Sequence, residues 1–258
     1  MLEIDERIHI AIRSYKRPGG VTTLKSVPWA SIWVPESQEE EYRECYGDKV
    51  ITIPDEEDGN PAKKFNAVLN RSPKPWTLIL DDDITAFSMW EDGEGIFLDH
   101  EQVARLINHH FDLADQIGVK LWGINQLHDG MAYRQFTPFS FLTPILGPFT
   151  GHLEPVLRFD ESIPAKEDYD FWLQNIEKYH RTLRVNKYAY RHDHGNKKGG
   201  FVSTRTMKME KECVQKMIDK WGPKIFKAGG TSGLSKDRET NPNGNIMNSL
   251  VQVPIPGI

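Results

Sequence analysis

The sequence predicts an α/β fold: a Rossmann-like mixed sheet flanked by helices, with a basic helical extension at the C-terminal end. Three observations carry this. Short runs rich in Ile and Val alternate with amphipathic helical periodicity through the first half of the chain. One of those runs, "WTLIL" at residues 76–80, is apolar enough for burial on both faces, as strands of parallel sheets are. Directly behind it stand Asp81, Asp82 and Asp83, where open α/β sheets bind ligands, beyond the carboxyl ends of the strands.

"RIHIAIRSY" alternates and reads as the first strand, ending near Ser14 and Tyr15 before the turn "KRPGG". "ASIWVP" is a second strand. "SQEEEYRECYG" is a helix with Ser37 as N-cap, Glu40 in the capping-box position and Gly47 as its stop. "KVITIP" is a third strand, and "NPAKKFNAVLNRS" a helix capped by Asn60 with Pro61 at its first position. After the strand "WTLIL" come a long amphipathic helix over 99–119 and the strand "LWGIN". A helix over 167–179, a strand over 182–192 and a helix ended at Gly222-Pro223 complete the pattern. The tail from Lys227 is rich in Gly, Asn, Ser and Pro and reads as extended.

At 258 residues the chain fits one large domain, or one with an appendage. The expected division is a core over 1–200, its halves meeting near residue 100, and a basic helix and tail over 201–258 packed on the same domain. A hydrophobic fraction of 38% with 27% charged residues marks a soluble globular protein. "MLEIDERIHIAI" has charges in its first turn and no apolar run long enough for a signal peptide or a membrane span. Only Cys45 and Cys213 occur, so a disulfide framework is not expected, and a reducing cytoplasm is the default. The net charge of −5 hides an asymmetry: residues 178–238 hold sixteen Lys/Arg against five Asp/Glu, a net of +11, leaving −16 for the rest. A basic third beside an acidic half suits two different partners, one of them a polyanion; a solvated basic face is the plainer reading.

Three adjacent carboxylates repel one another, and an Asp-x-Asp at a strand end presents Asp81 and Asp83 toward one point, where a hard divalent cation would neutralise them. Mg2+ or Mn2+ completes its shell with waters and substrate phosphates, which makes a nucleotide diphosphate the expected co-ligand. His192, Asp193 and His194 resemble part of a zinc site but lack further ligands at a familiar spacing.

Four segments together resemble the GT-A glycosyltransferases. "IAIRSYKRPGG" is similar to their opening strand and loop, and "GNPAKKFNAVLN" to their Ala- and Asn-bearing helix. "LILDDDI" resembles their DxD motif, and "KEDYDFWLQ" the acid pair that opens a late helix. All four stand in the family's order, and the set is most similar to the TET-associated glycosyltransferases, encoded largely by bacteriophages, which modify 5-hydroxymethylpyrimidines in DNA. Two departures are Arg13 where many relatives have Pro, and Lys64 where an Arg is usual.

The resemblance implies a nucleotide-sugar pocket lined by Ser14, Tyr15 and Arg17, with Asp55 (or its neighbours Glu56 and Glu57) near the base. Lys64 reaches the base or the diphosphate. Asp81 holds the ribose or a metal-bound water, Asp83 the metal, and Asp82 supports them. Asp168 is the implied base of an inverting reaction and Glu167 its companion; acids in a first helical turn also serve the helix dipole alone. One of His192 and His194 completes the metal shell, and Lys197 and Lys198 assist departure of the diphosphate. Gly151 and His152 of "GPFTGH" are expected at the acceptor.

The implied reaction is transfer of a sugar from a nucleotide-sugar, expected to be a UDP-sugar, to the hydroxyl of 5-hydroxymethylcytosine in DNA, which would meet the basic surface of 178–238. Rival readings are a glycosyltransferase acting on a glycan or protein, a nucleotidyltransferase of similar architecture, and a DNA-binding module without activity. The last leaves three clustered aspartates without a purpose.

Overall fold

A computed structural model describes residues 3–126, 133, 135–193, 200, 205–227 and 249–253. The first half builds four parallel strands: β1 (Ile8–Arg13), β2 (Ser31–Pro35), β3 (Val50–Ile53) and β4 (Trp76–Asp81). Two helices connect them, α1 (Glu39–Tyr46) and α2 (Pro61–Arg71). β5 (Ile84–Glu91) and β6 (Glu94–Phe97) form a hairpin, followed by α3 (His100–Gln116) and β7 (Leu121–Asn125). Next come the short β8 (Phe139–Ser140), β9 (Phe149–Leu153), α4 (Glu167–Tyr179) and β10 (Leu183–His192). α5 (Met207–Trp221) and a small ribbon of β11 (Phe226–Lys227) and β12 (Leu250–Val251) close the described chain.

The main sheet runs β3-β2-β1-β4-β9-β7-β10-β5-β6, with β8 on β10. β9 lies antiparallel between β4 and β7, so a largely parallel sheet becomes mixed at its centre. The period-two pattern of β1 and β4 explains the two layers. Ile8, Ile10 and Ile12 with Leu78 and Leu80 face a core closed by Tyr42 of α1 and by Val103, Ile107 and Phe111 of α3. Ala11 and Ile79 face the opposite core, built with Phe65 and Val68 of α2, Phe171 and Trp172 of α4, and Val214 and Met217 of α5.

Local chemistry sets the helix starts. Asn60 accepts from the Lys63 backbone N–H, with Pro61 at the first turn. Asp99 and Gln102 form a reciprocal capping box on α3. α1 differs from expectation: its N-cap is Gln38, without a side-chain cap, because a short 3-10 turn over Glu36–Gln38 precedes it. The Ser37 N–H is bound there by the Asp55 carboxylate. No helix among the described residues is long and apolar enough to cross a membrane.

α5 is joined to α4 by buried charge. Glu210 meets Lys166 at 3.1 Å and is also bonded by Arg205. One turn further along α4, Asp170 receives Lys220 and the Trp221 indole N–H, the latter at 2.8 Å.

Candidate active site

The carboxyl ends of β1 and β4 lie side by side, with Arg13 opposite Asp81 in register. That register answers how the aspartates coexist. The Arg13 guanidinium bonds to Asp81 and lies over the Phe65 ring with 3.6 Å to its centroid. Arg17 reaches Asp82 and stands 3.8 Å from Asp83. The Ser14 hydroxyl also bonds to Asp82, and the Asp82 carbonyl accepts the Thr22 N–H at 2.8 Å. Asp82 is therefore the buried anchor of the 14–22 loop, and burial raises its pKa against the pull of Ser14 and Arg17. Asp81 keeps about a third of its side chain exposed, and Asp83 is buried beside the late strand, its carbonyl accepting the Asp193 N–H at 3.0 Å.

Several expected donor contacts are turned to internal work. Ser14 is buried, bonded to Asp82 and to the Tyr42 hydroxyl at 2.7 Å, so its hydroxyl shapes the loop rather than lining an open pocket. The Arg17 guanidinium, expected to line the nucleotide-sugar pocket, is occupied with Asp82 and Asp83. Tyr15 is half-buried, with the Lys16 and Lys64 ammonium groups over its ring at 5.1 and 5.8 Å. Asp55 is exposed and turned to the Ser37 backbone, Glu56 is exposed, and Glu57 pairs with Arg71. The acid that comes inside is Asp58, 2.9 Å from Lys64, whose Nζ also donates to the Ser14 carbonyl. Burial pushes the Asp58 carboxyl up and the Lys64 ammonium down, while their pairing opposes both shifts.

Glu167 and Asp168 open α4 at the same sheet edge. The Pro148 carbonyl accepts the Asp81 N–H at 3.1 Å, and the Gly147 N–H points to Asp168 Oδ2 at 3.4 Å, so a two-residue step joins the acid triplet to the acid pair. Asp168 Oδ1 also accepts the Tyr169 N–H at 2.8 Å. Both carboxyls are held above the usual range, by burial first; for Glu167 repulsion from Asp168 adds to it. Gly147 adopts φ +79°, and a Cβ built there would stand 2.9 Å from both the Tyr190 hydroxyl and the Gln126 amide nitrogen.

The step "GPFTGH" is otherwise not an acceptor wall. Gly151 and His152 are internal to β9, and a Cβ on Gly151 would lie 2.0 Å from the Trp122 indole nitrogen. His152 is 1% exposed among Phe65, Phe159 and Phe171, and burial lowers its pKa to about 3. Both are core residues, because the central strand of the sheet needs a bare position where the indole crosses.

His192 ends β10 at a register shift opposite Ile84 and is exposed, near Asp83 through the Asp193 backbone. His194, Lys197 and Lys198 lie outside the described residues. The chain is described again at Gly200, whose N–H donates to the Tyr15 carbonyl at 3.0 Å and whose φ of +68° brings it beside the Arg17 guanidinium, 2.8 Å from where a Cβ would stand. Among the described residues no three His, Cys, Asp or Glu side chains gather closely enough to hold a metal by themselves. Asp81 and Asp83 fit the other arrangement, in which a hard cation takes one or two carboxylates and draws the remainder of its shell from phosphate and water.

The profile of the TET-associated glycosyltransferases matches residues 10–201. The chain belongs to this family. No curated protein matches the sequence. Among solved structures it is similar to the mannosyltransferase PcManGT from Pyrobaculum calidifontis in complex with GDP-Man and Mn2+. That likeness has 13% identity and a TM-score of 0.54, covering 83% of this chain and 64% of the other. It is also similar to glucosyl-3-phosphoglycerate synthase from Mycobacterium tuberculosis in complex with Mn2+, UDP and glucosyl-3-phosphoglycerate. There the identity is 10% and the TM-score 0.50, covering 83% and 80% of the two chains. The fold is thus the GT-A fold, and the chain is a glycosyltransferase.

Three residues of this glycosyltransferase's site escape the motif reading. Asp58 stands one residue beyond the acidic run weighed for the base. Arg13 is visible in the sequence only as a departure from Pro, although its charge is what Asp81 requires. Tyr190 sits in an alternating strand where it reads as ordinary core, yet its hydroxyl is under the influence of Asp81, Asp168 and Asp83, and burial with their charges raises its pKa strongly.

Proposed function

We propose that this TET-associated glycosyltransferase transfers a sugar from a nucleotide-sugar, a UDP-sugar in the simplest case, to the hydroxyl of 5-hydroxymethylcytosine in DNA. The observation that supports the reading is the short link from Asp81 through Pro148 and Gly147 to Asp168, which joins the carboxylates assigned to a cation to the one assigned to the proton. Asp83 and Asp81 would hold Mn2+ or Mg2+ together with the donor diphosphate, consistent with the Mn2+ in the two similar structures. A bound cation offsets the charge that develops on the departing diphosphate.

Asp168 accepts the proton of the hydroxymethyl group as its oxygen attacks the anomeric carbon. The new carbon–oxygen bond forms as the bond from that carbon to the diphosphate oxygen breaks, and the electron pair leaves with the UDP. A single displacement of this kind inverts the anomeric centre. The raised carboxyl pKa suits a base working near neutral pH. Glu167, next to it, orients Asp168 or contacts the donor sugar. Tyr15 and Lys64 flank the nucleotide, and Lys197 and Lys198 are assigned to the diphosphate and His192 or His194 to the cation by resemblance.

For the acceptor, support comes from the family match and from charge. Lys208, Lys211, Lys216, Lys224 and Lys227 are exposed on and after α5, and Arg181 and Arg191 on and beside β10. Phe136 is 90% exposed in the segment after β7, with Phe139 and Phe141 also at the surface, so the surface offers both cations and aromatic faces for stacking. The reading is tested by incubating the protein with UDP-sugars, Mn2+ and DNA containing 5-hydroxymethylcytosine. A mass gain on the modified base that weakens as salt is raised is expected. Modification of a glycan or protein acceptor, with none of the DNA, overturns the acceptor assignment.

A further inference from the structure

Tyr190 is 1% exposed, and its hydroxyl has no hydrogen-bond partner among the described residues. A buried hydroxyl left unpaired is costly, so its retention calls for a use. The ring is firmly held. Tyr190 pairs with Phe87 across β10 and β5 and belongs to the core shared with Phe149 and Trp122. The hydroxyl therefore has a fixed address, and the neighbours define it. The position of a Cβ on Gly147 is 2.9 Å away, and the N–H of that same residue is the one directed at Asp168. The carboxylates of Asp81, Asp168 and Asp83 all lie close enough to act on it. It thus stands beside Gly147, the residue that links the acid triplet ending β4 to the acid pair opening α4, bonded to neither.

We propose that the Tyr190 hydroxyl is a substrate contact, donating a hydrogen bond to a hydroxyl oxygen of the sugar being transferred. This rests on the assignment of the Asp81–Asp168 edge as the donor site. In that arrangement the diphosphate lies with Asp83 and the acceptor with Asp168, and the sugar occupies the interval that Tyr190 faces. Gly147 leaves the hydroxyl unblocked on that side, since any side chain there would meet it and the Gln126 amide. The role differs from that of Asp168: Tyr190 holds the donor and moves no proton.

The test is Tyr190→Phe, which removes the oxygen and keeps the ring. Its melting temperature should equal or exceed that of the unaltered protein, because an unpaired buried oxygen is lost. Calorimetry with Mn2+ should show about a tenfold weaker affinity for the UDP-sugar that binds best among UDP-glucose, UDP-galactose and UDP-N-acetylglucosamine, the worth of one hydrogen bond. Affinity for UDP with Mn2+ should not change. On the unaltered protein, one analogue lacking a single sugar hydroxyl should lose the same factor, and Tyr190→Phe should bind that analogue no worse. Unchanged UDP-sugar affinity in the variant overturns the Tyr190 contact alone, as does an unaltered protein that binds every such analogue as well as the parent sugar. An unaltered protein that binds neither UDP nor any UDP-sugar overturns the donor-site assignment beneath it.

Discussion

Two clusters of carboxylates stand at one sheet edge and are treated in opposite ways. Asp81, Asp82 and Asp83 each face an arginine, Arg13 for the first and Arg17 for the other two. Glu167 and Asp168 are neighbours in the chain; among the described residues neither is in ion-pair contact with a lysine or arginine, and both are pushed toward the protonated form. Paired acids serve to bind and to shape a loop. An acid pair held above its usual range, with no cation in contact, is suited to taking up a proton. Residue type alone does not separate these roles; the neighbouring cation does.

The largest test of that contrast is Asp168→Asn. Transfer should fall by about 10²–10⁴-fold in steady-state kinetics, as for loss of a general base, with donor affinity by calorimetry retained. Equal loss of both would remove Asp168 from the chemistry. On the paired side, Arg17→Ala should cost about 3–5 kcal/mol in urea unfolding, because it strands a buried carboxylate. Adding Asp82→Asn should recover part of that loss, whereas additive losses would mean that the two do not act as a pair.

A subtler effect follows from the raised carboxyls. A carboxyl whose folded pKa exceeds its unfolded value binds more protons in the native state, so stability falls as pH rises between the two values. Glu167→Gln should therefore raise the melting temperature by a few degrees near pH 7, and the gain should vanish toward about pH 4, below the unfolded pKa of Glu. A gain that persists at the lower pH would place the strain elsewhere. The smallest effect is expected for Arg13→Lys, since Asp81 is about a third exposed: about 1 kcal/mol or less in the same unfolding assay.

Much of the fold was legible because each element carried its own signal. β1 and β4 announced themselves by apolar runs, and α2 by Asn60 and Pro61. The hairpin of β5 and β6 went unread although Asp92-Gly93, with φ of 49° and 85°, is the sort of dipeptide that turns a hairpin; the surrounding acids masked it. β9 went unread because Gly151 at its centre looks like a loop residue until Trp122 is seen crossing it. In the site, the DxD motif and the start of α4 were visible as motifs. What they are bonded to was not, since Arg13 meets Asp81 only after β1 and β4, 68 positions apart at their first register pair, become neighbours. Asp58 escapes the reading of Asp55, Glu56 and Glu57 for a related reason: which acid turns inward depends on where the lysine of the next helix arrives.

The latch between α4 and α5 bears on what counts as the whole enzyme. The family's shared segment stops at residue 201, yet Glu210, Lys220 and Trp221 lie beyond it and neutralise or bond to Lys166 and Asp170, on either side of the acid pair. A fragment trimmed to the shared segment would inherit the motifs and leave a lysine and an aspartate stranded in its interior. The unit that is inherited by resemblance is shorter than the unit that folds.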